Sequence, residues 1–193
     1  IMNRYIAALA LVVFAVAGAN GQACPTIVTR AQWGARAAST SLLPHRPAPF
    51  VVVHHTAGSA CTTQDACSTQ MRNMQNFHMN TNGWADIGYN WCIGGDGRAY
   101  QGRGWDRQGA HAPGYNNQSM GICVIGTFTN TLPPLAARNA LQQLINCGVA
   151  QGFIRSAYWL IGHRQGSATE CPGTAFFNEI RNWPRFNANP RPL

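Results

Sequence analysis

The sequence predicts one α/β domain in which a central mixed β-sheet is flanked by helices. Three observations point there. Short apolar runs rich in Val and Ile alternate with longer stretches of helical periodicity. No internal linker or repeat interrupts the alternation. A chain of 193 residues, 46% of them hydrophobic, fills one domain with a sizeable core but not two ordinary ones.

The elements follow in order. Residues 1–21 predict a signal peptide. Arg4 supplies a positive charge and Ile6 to Ala17 an apolar run shorter than a membrane span. Ala17-Gly18-Ala19 is a small-x-small cleavage signature, with cuts after Gly21 or Ala23 as alternatives. No later apolar stretch is long enough to cross a bilayer, so residues 22–193 are expected as a soluble, secreted domain. Arg30 to Gly34 reads as a short capped turn. Phe50-Val51-Val52-Val53-His54-His55, bounded by Pro49 and Gly58, predicts a buried central strand that ends on two histidines.

Thr63-Gln64-Asp65 caps a helix expected to run to about Asn80, with Cys67, Met71, Met74 and His78 on one face and Asn82-Gly83 as its stop. Tyr89 to Ile93 is a second strand. The turn Gly94-Gly95-Asp96-Gly97 returns the chain as a hairpin partner over Arg98 to Gly102. Trp105 to Asn117 is a loop, and Met120 to Ile125 a third core strand. After Pro133-Pro134 comes an amphipathic helix whose stripe is Ala137, Leu141, Leu144, Ile145, Gly148 and Val149. Tyr158 to Gly162 is a short strand ending at His163, and Thr174 to Asn182 the last helix.

The net charge is +8, and all 14 basic residues are arginine. Such a surface attracts anionic partners: nucleic acid, membranes or bacterial wall polymers. The arginines are scattered, with neither a basic stripe nor a recognisable motif, so nucleic-acid binding is not supported. Seven cysteines leave at least one unpaired within the chain, and secretion licenses disulfides among the rest. Cys61 and Cys67 are close enough to close a small loop, whereas Cys24 needs a distant partner. Cys92 and Cys123 sit in apolar runs and read as buried free cysteines packing as small hydrophobes.

The chemistry gathers at strand ends, where α/β sheets build their sites. His54 and His55 end one strand, His163 ends another, and Cys171 follows eight residues later in a loop. Two imidazoles and a thiolate are good zinc ligands, and three protein ligands leave a fourth position open, the pattern of a catalytic zinc. Strand alternation puts His54 and His55 on opposite faces, so only one of them serves a shared site. Spacing does not say which.

Five motifs in succession carry a resemblance: Val53-His54-His55-Thr56-Ala57-Gly58; Gly83-Trp84-Ala85-Asp86-Ile87-Gly88-Tyr89-Asn90; Gly94 through Trp105; Gly162-His163-Arg164; and Cys171-Pro172-Gly173. From about Cys24 to about Trp183 the chain resembles the animal peptidoglycan recognition proteins, relatives of phage amidase-type lysozymes. The resemblance implies the amidase type 2 fold, with a groove holding Zn2+ on His54, His163 and Cys171. It implies hydrolysis of the amide between N-acetylmuramic acid and L-alanine in bacterial peptidoglycan, as part of innate antibacterial defence. Tyr89 matches the catalytic tyrosine and Thr169 a secondary catalytic position. His78 and His111 match residues that touch the stem peptide. Gly83-Trp84 and Arg103 match positions tied to preference for meso-diaminopimelate over lysine stems; a bidentate arginine suits the extra carboxylate. The resemblance also implies bridges Cys24–Cys147 and Cys61–Cys67, and Ala85 stands where some vertebrate members carry a further cysteine. Two other readings remain: a non-catalytic peptidoglycan sensor or bacteriostatic protein, and a scaffold with structural zinc, which would need His55 as fourth ligand.

Overall fold

In the computed structural model, which describes residues 24–193, strands and helices alternate along the chain. They are β1 (Ile27–Val28), α1 (Arg30–Trp33), β2 (Ala48–His55), α2 (Gln64–Asn76), β3 (Trp91–Ile93), β4 (Ala99–Gln101), β5 (Ser119–Val124), α3 (Leu135–Ala150), β6 (Ile154–Gly162) and α4 (Thr174–Ile180). The strands form one sheet in the order β1-β4-β3-β5-β2-β6. β3 and β4 pair antiparallel as the expected hairpin, and every other neighbouring pair is parallel. This is the mixed sheet flanked by helices that the sequence predicts. The signal-peptide expectation for residues 1–21 lies outside the described residues.

Parallel strands covered on both faces need unbroken apolar runs, and all eight residues of β2 are buried. Val51 and Val53 face a core shared with Met120, Ile122 and Val124 of β5, the apolar stripe of α3, and Phe176 and Ile180 of α4. Phe50 and Val52 face the other way, against Ile161 of β6 and against Ala112 and Tyr115 from the connection between β4 and β5. On that second side α1 and α2 bring Trp33, Cys67 and Met71 onto Tyr100, Cys123 and Ile125. Burying each large aliphatic or aromatic side chain stabilises the domain by about 1.5–3 kcal/mol. A one-residue slip would send each of them to the wrong face, so the register is fixed.

Local signals set the ends. Thr29 and Gln32 form a reciprocal capping box at α1, and the Thr63 hydroxyl accepts from the Ala66 N–H at α2. α2 ends at Asn76 and continues as a π-helical turn, Phe77–Thr81, to Gly83 at φ +70°. β6 begins at Ile154, four residues before the predicted strand, because it is an edge strand. Its Arg155, Ser156 and Ala157 are exposed, and no apolar run marks them. No helix among the described residues is long and apolar enough to cross a membrane.

Bridges join Cys24 to Cys147 and Cys61 to Cys67. Cys92 and Cys123, expected as free buried thiols, are also bridged. They are register partners on the adjacent parallel strands β3 and β5, and both point to the α2 side. Among the described residues Cys171 is the free cysteine, and it is buried.

Candidate metal centre and groove

The parallel pairing of β2 with β6 builds the site. Val53 is the register partner of Gly162, so the next residues, His54 and His163, leave the sheet side by side. Their rings lie 4.4 Å apart, centre to centre. His54 continues the Phe50 and Val52 face. His55 continues the Val51 and Val53 face, where its Nδ1 accepts from the Phe128 N–H at 3.2 Å. The two histidines of the pair thus serve different sides of the sheet.

Cys171 is brought back by the turn that follows His163. The Arg164 N–H donates to the Cys171 carbonyl at 2.8 Å, and the Thr169 hydroxyl accepts from the Cys171 N–H at 3.2 Å. The Cys171 sulfur lies 3.7 Å from His54 Nδ1 and accepts from the His55 N–H at 3.3 Å. One ligand atom from each of His54, His163 and Cys171 falls within 4.8 Å of the others.

The electrostatics suit a cation. Burial, reinforced by His111 and His163, holds His54 well below the usual imidazole range. Burial also lowers His163, with His55 adding to it. Both rings are therefore neutral and keep a lone pair. Burial pushes the Cys171 thiol up to about 12, against the opposing pull of the His55 N–H and Arg164. A soft dication among two neutral imidazoles and a desolvated thiol restores the thiolate. Nitrogen and sulfur donors in this number and spacing fit zinc.

Around this centre runs an open groove of about 560 Å³, lined in part by Trp84, His111, Asn116, His163, Ser167 and Thr169. Tyr89, half-buried just before β3, places its ring 5.1 Å from His54. Its hydroxyl makes no hydrogen bond among the described residues. Burial, with Cys171 beside it, raises its pKa further above the ordinary phenol value, so it stays a donor. His78 stacks on the exposed Trp84 at 4.8 Å, and its Nδ1 accepts from the Gly88 N–H. Burial lowers its pKa to about 4, with Arg103 adding to it and Asp86 opposing. His111 is buried on the other side of His54 and is pushed down to about 3 by burial, His163 and Arg103.

Trp84 and Ala110 line the groove, and their chain neighbours Ala85 and Gly109 line a polar cavity of about 180 Å³ with Arg103, Gln108 and Ser39 to Ser41. Arg103 donates from Nε to the Ile87 carbonyl and from Nη1 to the Gln108 carbonyl, both at 2.7 Å. Asp86 is taken by Arg30, Gln75 and the Ile87 N–H, and among the described residues no carboxylate forms an ion pair with Arg103. A smaller cavity of about 100 Å³ between α3 and β6 holds none of these residues.

A model of the N-acetylmuramoyl-L-alanine amidase domain matches residues 44–174. That span contains all three candidate ligands. The chain belongs to the peptidoglycan recognition protein family. It is 48% identical to peptidoglycan-recognition protein SC2 of Drosophila simulans over 164 residues, 84% of this chain and 89% of the relative. It is 44% identical over 173 residues to the pig N-acetylmuramoyl-L-alanine amidase, covering 88% of this chain but 29% of that longer protein. Among solved structures it is similar to peptidoglycan recognition protein LE in complex with tracheal cytotoxin, a monomeric diaminopimelic acid-type peptidoglycan. The TM-score there is 0.82 and the identity 40%, over 84% of this chain and 96% of that one.

Sequence reasoning missed several residues that shape this family member's groove. Asn116 Oδ1 accepts from the N–H groups of His111 and Ala112. Asn90 ties the Gly104 and Arg107 carbonyls to the Gly121 N–H. Ser119 lies within reach of His111. These residues carry no periodicity or metal-ligand spacing by which a sequence would betray them.

Proposed function

We propose that the protein is a secreted zinc amidase that binds bacterial peptidoglycan in the groove and hydrolyses the amide between N-acetylmuramic acid and L-alanine of the stem. The convergence of His54, His163 and Cys171 beside Tyr89, with His163 lining the groove, carries this reading. Zinc held by those three side chains would supply a Lewis acid that polarises the amide carbonyl and makes water nucleophilic near neutral pH.

The chain's own groups do the rest. Tyr89 keeps its proton and donates to the oxygen on which charge develops. The Thr169 hydroxyl accepts from the Cys171 N–H and still has its own proton to donate to the same oxygen. His78 braces Trp84, whose exposed face forms one wall for the stem, and Gly83 lets the backbone turn beside it.

The polar cavity at Arg103 supports a preference for meso-diaminopimelate. The guanidinium there is half-buried and, among the described residues, makes no ion pair and no hydrogen bond from Nη2, so it has room for an extra carboxylate. The relative bound to a diaminopimelic acid-type fragment supports the same ligand class. Three disulfides fit an oxidising, extracellular location.

The test is direct. Purified protein is incubated with a defined diaminopimelate muropeptide, with zinc and then with a chelator, and free stem peptide is quantified by mass spectrometry. Zinc-dependent release is the expected result. Tight binding without release would leave a peptidoglycan sensor and refute the amidase.

A further inference from the structure

We propose that His111 is a positioning residue that fixes the tautomer of His54 so that its Nδ1 presents a lone pair to the metal. The proposal rests on the metal-centre reading above. It does not rest on the resemblance, which places His111 against the stem peptide.

Four residues in sequence form a hydrogen-bonded chain. His54 Nε2 lies 3.0 Å from His111 Nδ1. His111 Nε2 lies 3.3 Å from Ser119 Oγ. Ser119 Oγ lies 2.7 Å from the Tyr115 carbonyl oxygen. The distances alone leave the direction of the two imidazole bonds open, but the carbonyl settles it. A carbonyl only accepts, and it lies 2.7 Å from Ser119 Oγ against 3.3 Å for His111 Nε2, so the one hydroxyl proton of Ser119 goes to Tyr115. Ser119 Oγ therefore has only lone pairs for His111, and His111 Nε2 must carry a proton. A neutral His111 then has a bare Nδ1, which accepts the proton on His54 Nε2. That leaves His54 Nδ1 unprotonated on the side where Cys171 Sγ lies 3.7 Å away. The polarity of the chain is thus set at its far end by a backbone group that cannot reverse.

The ring of His111 is held for this purpose. A Cβ built on Gly121 would sit 2.2 Å from His111 Cδ2, and one built on Gly109 2.3 Å from the same atom. Two glycines clamp the ring where any side chain would push it away. Asn116 pins the backbone N–H of the same residue at 2.8 Å. Both ring nitrogens are engaged within the protein, so His111 meets a stem peptide without a nitrogen to offer it. Metal-bound histidines commonly give their other N–H to a carboxylate or carbonyl, and losing that partner lowers metal affinity about 10–100-fold. Here a second imidazole takes that place, with a serine and a carbonyl behind it.

Zinc affinity of the full, disulfide-intact protein, measured by competition with a chromophoric chelator, tests the assignment. His111→Phe keeps the ring and removes the acceptor, and is expected to weaken zinc binding about 10–100-fold. His111→Gln restores an acceptor oxygen and is expected to recover part of the loss. Ser119→Ala removes the polarising hydroxyl with little change in volume and is expected to weaken zinc binding in the same direction. It carries the test if His111→Phe fails to fold. In the zinc-loaded wild type, nitrogen-15 NMR is expected to show the His54 proton on Nε2. Unchanged zinc affinity in His111→Phe or Ser119→Ala, or a His54 proton on Nδ1, overturns the proposal while leaving the amidase intact. A wild type that binds no zinc overturns both.

Discussion

Tyr89→Phe separates chemistry from folding. The substitution removes one oxygen and nothing else. A buried hydroxyl that loses a hydrogen bond costs about 1 kcal/mol, but the Tyr89 hydroxyl has no such bond to lose among the described residues. Its ring contacts with His54 at 5.1 Å and His78 at 5.8 Å survive in phenylalanine. Stability read from urea unfolding should therefore change by less than that amount. Catalysis should behave differently. Burial raises the Tyr89 pKa further above the ordinary phenol value, so the group enters the reaction as a neutral donor. Losing one such donor to a developing oxyanion costs about 10²–10³ in kcat, or about 2.7–4 kcal/mol. An interaction made only in the transition state lowers kcat and kcat/KM equally. Stem-peptide release from a defined muropeptide gives both constants, and zinc content is checked on the same sample. A kcat equal to wild type would refute the donor role. A large loss of stability would show that the hydroxyl is a packing group instead.

Three further outcomes follow from the same geometry. Cys171→Ser should abolish cleavage and strip zinc to well below one per chain while leaving muropeptide binding largely intact, as read by calorimetry; full activity would remove Cys171 from the ligand set. Arg103→Val should narrow the affinity gap between diaminopimelate and lysine stems by about tenfold or more, since a hydrogen bond to a charged group is worth about 1.5–3 kcal/mol; an unchanged gap would place the discrimination elsewhere. Burial lowers the pKa of His78 to about 4 in the folded chain, against 6.5 for a free imidazole. The unfolded chain therefore binds more protons between those values, and stability should fall as pH drops from about 6.5 to about 4 and level off below. The slope of urea midpoint against pH should be shallower in His78→Gln, and identical slopes would show that the group is not held neutral by its burial.

The strand run ending at His54 and the helix after Pro134 were legible because burial on both faces, or on one stripe, leaves a period in the sequence. Edge elements were not. The first half of β6 is exposed and the two residues of β1 are too few for any period. Cys92 and Cys123 show the limit more sharply. Each sits in an apolar run, and a disulfide needs only that two sulfurs face each other across one strand spacing. The sequence shows the runs but not which strands are neighbours. Asn90, Asn116 and Ser119 were missed for a related reason. Each acts through a single hydrogen bond or a few, and a lone polar side chain looks the same in a sequence whether it pins a loop or faces water.

The centre itself is a consequence of register. His54 and His163 are far apart along the chain, and their meeting depends on β6 lying beside β2 and running parallel to it. Because Val53 pairs with Gly162, both histidines step off the sheet at the same level. Strand alternation then decides which histidine of the pair is used. Phe50 and Val52 are buried on the groove side, so His54 follows them there. Val51 and Val53 are buried against α3 and α4, so His55 turns toward Phe128. Exchanging the roles of the two histidines would require a slip of one residue, which would exchange four apolar side chains of β2 between two cores packed to fit others. Misfit packing costs about 1–3 kcal/mol where a side chain is too large for its new site, a sizeable part of the stability of an ordinary domain. The hydrophobic pattern of one strand therefore selects which histidine joins His163 and Cys171 in the candidate metal centre.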